Sequence, residues 1–139
     1  NVVLPRLSDY TLSDNPAIKY FSGTATFTNS FTASPDAKSR YELKLDGFTD
    51  VAEVIVNDKS AGHIWCSPWT LDITPYITSG NNEITLRVAN SLYNRMIGDL
   101  NVPADRRVTK ATTPIVDEST PLVPSGINGN VTIIRYTDH

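Results

Sequence analysis

The residues best equipped for chemistry in this chain are aromatic and polar rather than nucleophilic. In VNDKSAGHIWCSPWTLDIT, Val56 to Thr74, the only two tryptophans, Trp65 and Trp69, flank the only cysteine, Cys66, and Pro68. Farther along, Tyr93, Asn94 and Arg95 are consecutive, and Asp99 follows four residues after Arg95. A pyranose ring has an apolar C–H face that stacks on Trp or Tyr. Its polar rim takes paired hydrogen bonds from Asn, Asp and Arg. Trp65, Trp69, Tyr93, Asn94, Arg95 and Asp99 are a ligand set of that type. A second reading places each tryptophan in the core or at its rim. Residues at i and i+4 share a face of a continuous strand, but Pro68 interrupts any strand here.

Other chemistries find little to work with. The two histidines, His63 and His139, and Cys66 offer no pair with zinc-ligand spacing. Calcium needs only oxygen ligands, and the stretch Asp99 to Asp105 could supply them for a structural ion, but no D-x-D-x-D ladder is present. No cofactor is therefore expected. There is no G-x-S-x-G elbow and no glycine-rich phosphate loop. Cys66 reads as a semi-buried structural thiol and His63 as a strand residue. A glycosidase needs two carboxylates set across a cleft, and fifteen acidic residues give no basis for selecting a pair. Asp46, Asp58 and Asp72 read as turn or cap residues. Glu53, on an otherwise apolar strand, either sits near a strand end or pairs with a cation, with Arg87 and Arg95 as the candidates. No catalytic residue is expected in this chain.

Composition is consistent with a folded domain. The 139 residues suggest one domain spanning 1–139, with 40% hydrophobic and 19% charged residues. Roughly two-thirds of the unfolded surface of such a chain is buried on folding, enough for one core. A net charge of −3 without a basic stripe argues against nucleic acid as a partner. No apolar run approaches the roughly 20 residues of a membrane-spanning helix, so no membrane partner is expected. The chain opens NVVLPRLSDY, without a basic start, an apolar run or a methionine, and reads as a fragment or a processed chain.

The elements that must position these residues are strands. In YFSGTATFTNSF, Phe21, Gly23, Ala25, Phe27, Asn29 and Phe31 alternate with a hydroxyl-rich face. RYELKLD turns Tyr41, Leu43 and Leu45 inward, and EITLRVAN does the same with Ile84, Leu86 and Val88. VAEVIV, apolar on both faces except at Glu53, reads as a central strand. GHIWC, WTLDI and VTIIRY complete a set of seven. Asn57-Asp58 and Gly80-Asn81 read as turns. In between, Thr74 should cap a single helical turn with Pro75 at its first position. The stretch 98–126 is a long proline-rich loop with a short edge strand expected around Thr113 to Val116. Many short strands with almost no helix make an all-β sandwich or jelly roll.

The run AEVIVNDKSAGHIWCSPWTLDITPYITSGNNEITLRVAN carries a pattern of its own. Val56-Asn57-Asp58, Trp65, Asp72-Ile73-Thr74, Gly80-Asn81 and Val88-Ala89-Asn90 follow one another as they do in the sugar-binding jelly roll of glycoside hydrolase family 2, which this chain resembles. IKYFSGTATFTNSF is similar to the first strand of that domain. YNRMIGD and PSGINGNVTIIRY resemble the C-terminal module of family 106 bacterial glycosidases, the α-L-rhamnosidase type. One departure is Asp58, where the family has glycine. The resemblance implies a galactose-binding-domain-like β-sandwich and a noncatalytic accessory module in a larger bacterial glycoside hydrolase, secreted or periplasmic. The implied partners are the parent's catalytic domain and oligosaccharide. An autonomous carbohydrate-binding module on Trp65, Trp69 and Tyr93, and an extracellular protein-interaction sandwich using the long loop, are the alternatives. The same resemblance places Trp69 in the core and Trp65 at the rim. It also lets Arg95 hold the long loop through a buried pair with Asp99 or Glu53.

Overall fold

The computed structural model describes residues 6–111, 113 and 115–137. It contains seven strands: β1 (Thr24–Ala33), β2 (Ser39–Leu45), β3 (Val51–Val56), β4 (Lys59–Ile64), β5 (Thr70–Asp72), β6 (Gly80–Ala89) and β7 (Val131–Thr137). They form two antiparallel sheets, ordered β1-β6-β3-β4 and β5-β2-β7. All seven expected strands are present, and β3 is central, between β6 and β4.

Alternation puts the core between the sheets. β2 directs Tyr41, Leu43 and Leu45 inward, β3 directs Ala52, Val54 and Val56, and β6 directs Ile84, Leu86 and Val88. A one-residue slip of any of these strands would turn its apolar face to water, so the pattern fixes the register. Glu53 lies on the outer face of β3, opposite Arg87 in the ladder, and pairs with it at 3.0 Å. Both side chains are partly exposed, so the pair contributes about 0–1 kcal/mol.

Turns set the strand spacing. Asn57 and Asp58 have φ of 49° and 63°, the positive values of a type I′ hairpin, so Asp58 does adopt the conformation that glycine favours. Asn57 also ties this turn to the next one. Its Nδ2 donates to Tyr76 O and Asn82 Oδ1, and its Oδ1 accepts from Glu83 N–H. Asn82, fully buried, accepts from Thr78 N–H and donates to the carbonyls of Thr78 and Gly80.

Three expectations need correction. The helical turn at Thr74–Tyr76 is present, but its N–H donor at Thr74 is taken by the Asp72 carboxylate. The Thr74 hydroxyl instead accepts from Tyr41 N–H on β2. The edge strand expected near Thr113 is absent from Thr113, Ile115 and Val116; Pro114 lies outside the described residues. Two short helices, α1 (Pro16–Lys19) and α2 (Tyr93–Asp99), occur where no helix was expected.

Candidate functional site

The six sequence-derived candidates gather at one end of the sandwich, where β4 and β6 finish and β3 begins. Ile64, the last residue of β4, pairs with Ala52, and Ala89, the last of β6, pairs with Val51. Trp65 therefore emerges beside Val51, and α2 starts four residues after the end of β6. The long loop returns to the same end, with Gly126 bridging to Asp9 and Ile127 to Phe48.

The two tryptophans separate. Trp65 is 67% exposed. Trp69 packs on the core, with its ring edge-on to Phe48 at 5.8 Å between centroids. The intervening turn is closed by Trp69 N–H donating to Cys66 O at 3.0 Å, and Trp69 sits at φ 61°. For a residue with a Cβ that conformation costs about 1–2 kcal/mol, and packing of the indole against Phe48 offsets it. Cys66 itself is exposed rather than semi-buried, because the turn lifts it off the sheet. His63 is an exposed β4 residue.

The polar candidates are engaged within the fold. Asn94 is buried, donates from Nδ2 to Val123 O at 2.7 Å and accepts from Val123 N–H at 2.9 Å. Arg95 donates from Nε and Nη2 to Asp99 Oδ1, at 3.0 and 2.6 Å. Asp99 Oδ2 accepts from the N–H and the hydroxyl of Thr109, at 2.7 and 2.6 Å. Burial opposes ionisation of Asp99. The Thr109 donors and the Arg95 guanidinium outweigh it and hold the carboxyl down at about 2. Of the two partners considered for Arg95, Asp99 is the one used. Tyr93 is half-buried at the start of α2. Among the described residues no three of His, Cys, Asp and Glu are grouped to hold a metal.

A second polar cluster at this end escaped the sequence reading. Asp50 Oδ2 accepts from Gly126 N–H at 2.7 Å and from Ser125 Oγ at 3.2 Å. Asn90 Nδ2 donates to Ser125 Oγ and to Phe21 O, and its Oδ1 accepts from Gly23 N–H. Asp9 accepts from Ser125 N–H. Burial pushes the Asp50 carboxyl up, the hydrogen bonds from Gly126 and Ser125 oppose this, and the neighbouring Asp9 charge adds to the rise. Tyr10 lies alongside, 2% exposed, and burial with the Asp50 charge pushes its hydroxyl to about 12. The one available signal was Asn90 in the Val-Ala-Asn ending of its strand.

This end thus combines an internally tied polar layer with an outer apolar set. Trp65, Val51 at 44%, Leu92 at 58% and Val123 at 40% exposure form the latter. Residues 8–112 match the family described as glycosyl hydrolase 2 galactose-binding domain-like. The chain belongs to this family. A protein of Formosa agariphila provisionally named a β-glucuronidase is 37% identical over 102 residues, 71% of this chain and 9% of that protein. The structure of a rhamnosidase from Novosphingobium sp. PP1Y superposes on 96% of this chain with a TM-score of 0.86 and 35% identity, covering 13% of the rhamnosidase. A β-D-glucuronidase from Dictyoglomus thermophilum superposes on 97% of the chain with a TM-score of 0.60 at 18% identity, a likeness of fold. This galactose-binding-like domain accordingly spans 9%, 13% and 24% of these three relatives, which are larger glycosidases.

Proposed function

We propose that this chain is a noncatalytic accessory module of a secreted or periplasmic bacterial glycoside hydrolase, seated against the catalytic domain by the end that carries Trp65. The observation that carries the reading is the division of labour at that end. Asn94, Arg95 and Asp99 are bonded inward, whereas Trp65, Val51, Leu92 and Val123 are presented outward. Exposed apolar side chains beside polar groups already bonded inward suit a protein contact better than recognition of a sugar rim, which requires free donors and acceptors.

A 67% exposed tryptophan also favours a second reading, an autonomous carbohydrate-binding module that stacks a pyranose on Trp65. Calorimetric titration of the 139-residue chain against rhamnose- and galactose-containing oligosaccharides, with Trp65→Ala alongside, separates the two. No heat from a cooperatively melting protein supports the accessory role. Heat that disappears in Trp65→Ala replaces it with the binding-module role.

A further inference from the structure

A pocket of about 470 Å³ lies between the two short helices. That volume falls within the roughly 300–1,000 Å³ of small-molecule sites. Pro16 and Ala17 of α1 give it an apolar wall, with Val102 beyond α2. Tyr20, Arg95 and Asn101 bring aromatic and polar groups to it. Trp65, Val51, Leu92 and Val123 do not line it, so it is separate from the exposed apolar set described above.

Its aromatic wall is held in place by the fold. Tyr20 is half-buried and pressed against Gly98 of α2, where a Cβ would meet the ring Cγ at 2.5 Å. Arg95 is only partly committed. Its Nε and Nη2 donate to a single oxygen, Asp99 Oδ1, and Nη1 makes no hydrogen bond among the described residues. Arg95 lines the pocket and Asp99 does not, so the bonded edge of the guanidinium is the one turned away. The remaining edge, Nη1 with the second N–H of Nη2, is a fork of two parallel donors, which fits a carboxylate.

Two further groups stand beside this fork. Lys19 directly precedes Tyr20, and its ammonium is 6.0 Å from the centroid of the Tyr20 ring. It forms no ion pair among the described residues, so its charge is not balanced as that of Arg95 is by Asp99. Asn101 is exposed, and among the described residues its side-chain amide makes no hydrogen bond, leaving a donor and an acceptor for a ligand.

We propose that this pocket binds an acidic sugar, a pyranose that carries a carboxylate. Tyr20, Pro16 and Ala17 take the C–H face of the ring, the Arg95 fork and Lys19 take the carboxylate, and Asn101 takes ring hydroxyls. The site is independent of the contact made by the Trp65 end, and either reading can fail without the other.

The test is calorimetric titration of the 139-residue chain with digalacturonic acid and with its dimethyl ester, which keeps the rings and removes the charge. The acid should bind, more weakly as salt is added. The ester should bind about tenfold more weakly or worse, the worth of one charge-assisted hydrogen bond. Ala17→Glu puts a carboxylate at an exposed position on the pocket wall. It should abolish binding while the melting temperature stays within about 3 °C. Lys19→Ala should weaken binding about threefold, and Trp65→Ala should bind as the unaltered chain does. No heat with the acid from a cooperatively melting chain overturns the proposal. Equal affinity for acid and ester, or binding retained in Ala17→Glu, overturns it as well. Binding lost in Trp65→Ala and kept in Ala17→Glu also overturns it, and places the sugar on Trp65 instead.

Discussion

Asn94 and Val123, twenty-nine residues apart, exchange two hydrogen bonds, the Asn94 amide reading the backbone of Val123 as a strand partner would. This single side chain anchors the far end of the long loop to α2. Asn94→Ala removes both bonds and is expected to cost about 1–3 kcal/mol. Asn94→Asp keeps the acceptor, loses the donor and leaves a charge facing Val123 O, so it should be no milder. Thermal melting checks the cost. Hydrogen exchange at Val123 should accelerate while β2 and β6 stay protected; unchanged exchange at Val123 would refute the anchoring role.

The near end of that loop is held by Arg95, Asp99 and Thr109. Arg95→Ala leaves a nearly fully buried carboxylate without its cation, held by neutral donors of Thr109 and Val108. Breaking such a pair costs about 3–5 kcal/mol when fully buried; Arg95 is partly exposed, so about 2–3 kcal/mol is expected, a fall in Tm on the order of 10 °C. The same network gives an acid dependence. The Asp99 carboxyl, near 3.9 in an unfolded chain, is held at about 2 in the fold. Its contribution is complete above about pH 4 and declines as pH falls toward 2. Asp99→Asn should flatten the melting temperature over that interval; an unaltered slope would assign the acid dependence elsewhere.

Asp50 works in the opposite direction. Its carboxyl is raised by burial and by Asp9, so ionising it costs more in the fold than in the unfolded chain. Both of its hydrogen bonds fall on one oxygen, Oδ2, which an asparagine carbonyl can replace. Asp50→Asn is therefore expected to hold or raise Tm at pH 7. The gain should vanish below the ordinary carboxylate range, where Asp50 is neutral in both states. A loss of stability at pH 7 would mean that the charge itself holds Ser125 and Gly126.

Much of this fold was legible because a strand declares itself locally. The alternation in RYELKLD and EITLRVAN, and the turn residues Asn57-Asp58, depend only on near neighbours. The helix α2 did not declare itself. Its inward residues include Asn94, Gly98 and Asp99, which inverts the usual apolar pattern. Gly98 is there because Tyr20 packs against it; a Cβ would lie 2.5 Å from the Tyr20 ring. That contact links residues far apart in sequence and leaves no periodic trace. The half-burial of Phe27 and Phe31 on β1 was equally hidden. The apolar face of β1 reads the same whether or not a strand lies opposite it.

The tryptophans predict a clear asymmetry. Trp69→Ala removes an indole packed on Phe48 while keeping a Cβ at φ 61°, so about 2–4 kcal/mol should be lost. Trp65→Ala, at an exposed site, should stay within about 0.5 kcal/mol. Urea midpoints of the two variants decide the matter. Comparable losses would place Trp65 in the core after all.

The Asn57-Asp58 hairpin should respond with opposite signs at its two positions. Both have positive φ, which glycine adopts without steric cost. Asp58 is exposed, and among the described residues its side chain makes no hydrogen bond, so Asp58→Gly exchanges a strained residue for a compatible one. A gain of a few tenths to about 1 kcal/mol is expected, reduced by the greater freedom of glycine in the unfolded chain. Asn57→Gly gains the same backbone relief but breaks three hydrogen bonds, to Tyr76 O, Asn82 Oδ1 and Glu83 N–H. Asn82 is fully buried and loses a donor with it, so a net loss of about 1–3 kcal/mol is expected. Urea unfolding of both variants measures the difference. Stabilisation by both would mean that backbone strain dominates the turn. Destabilisation by both would mean that Asp58 serves the hairpin through its charge.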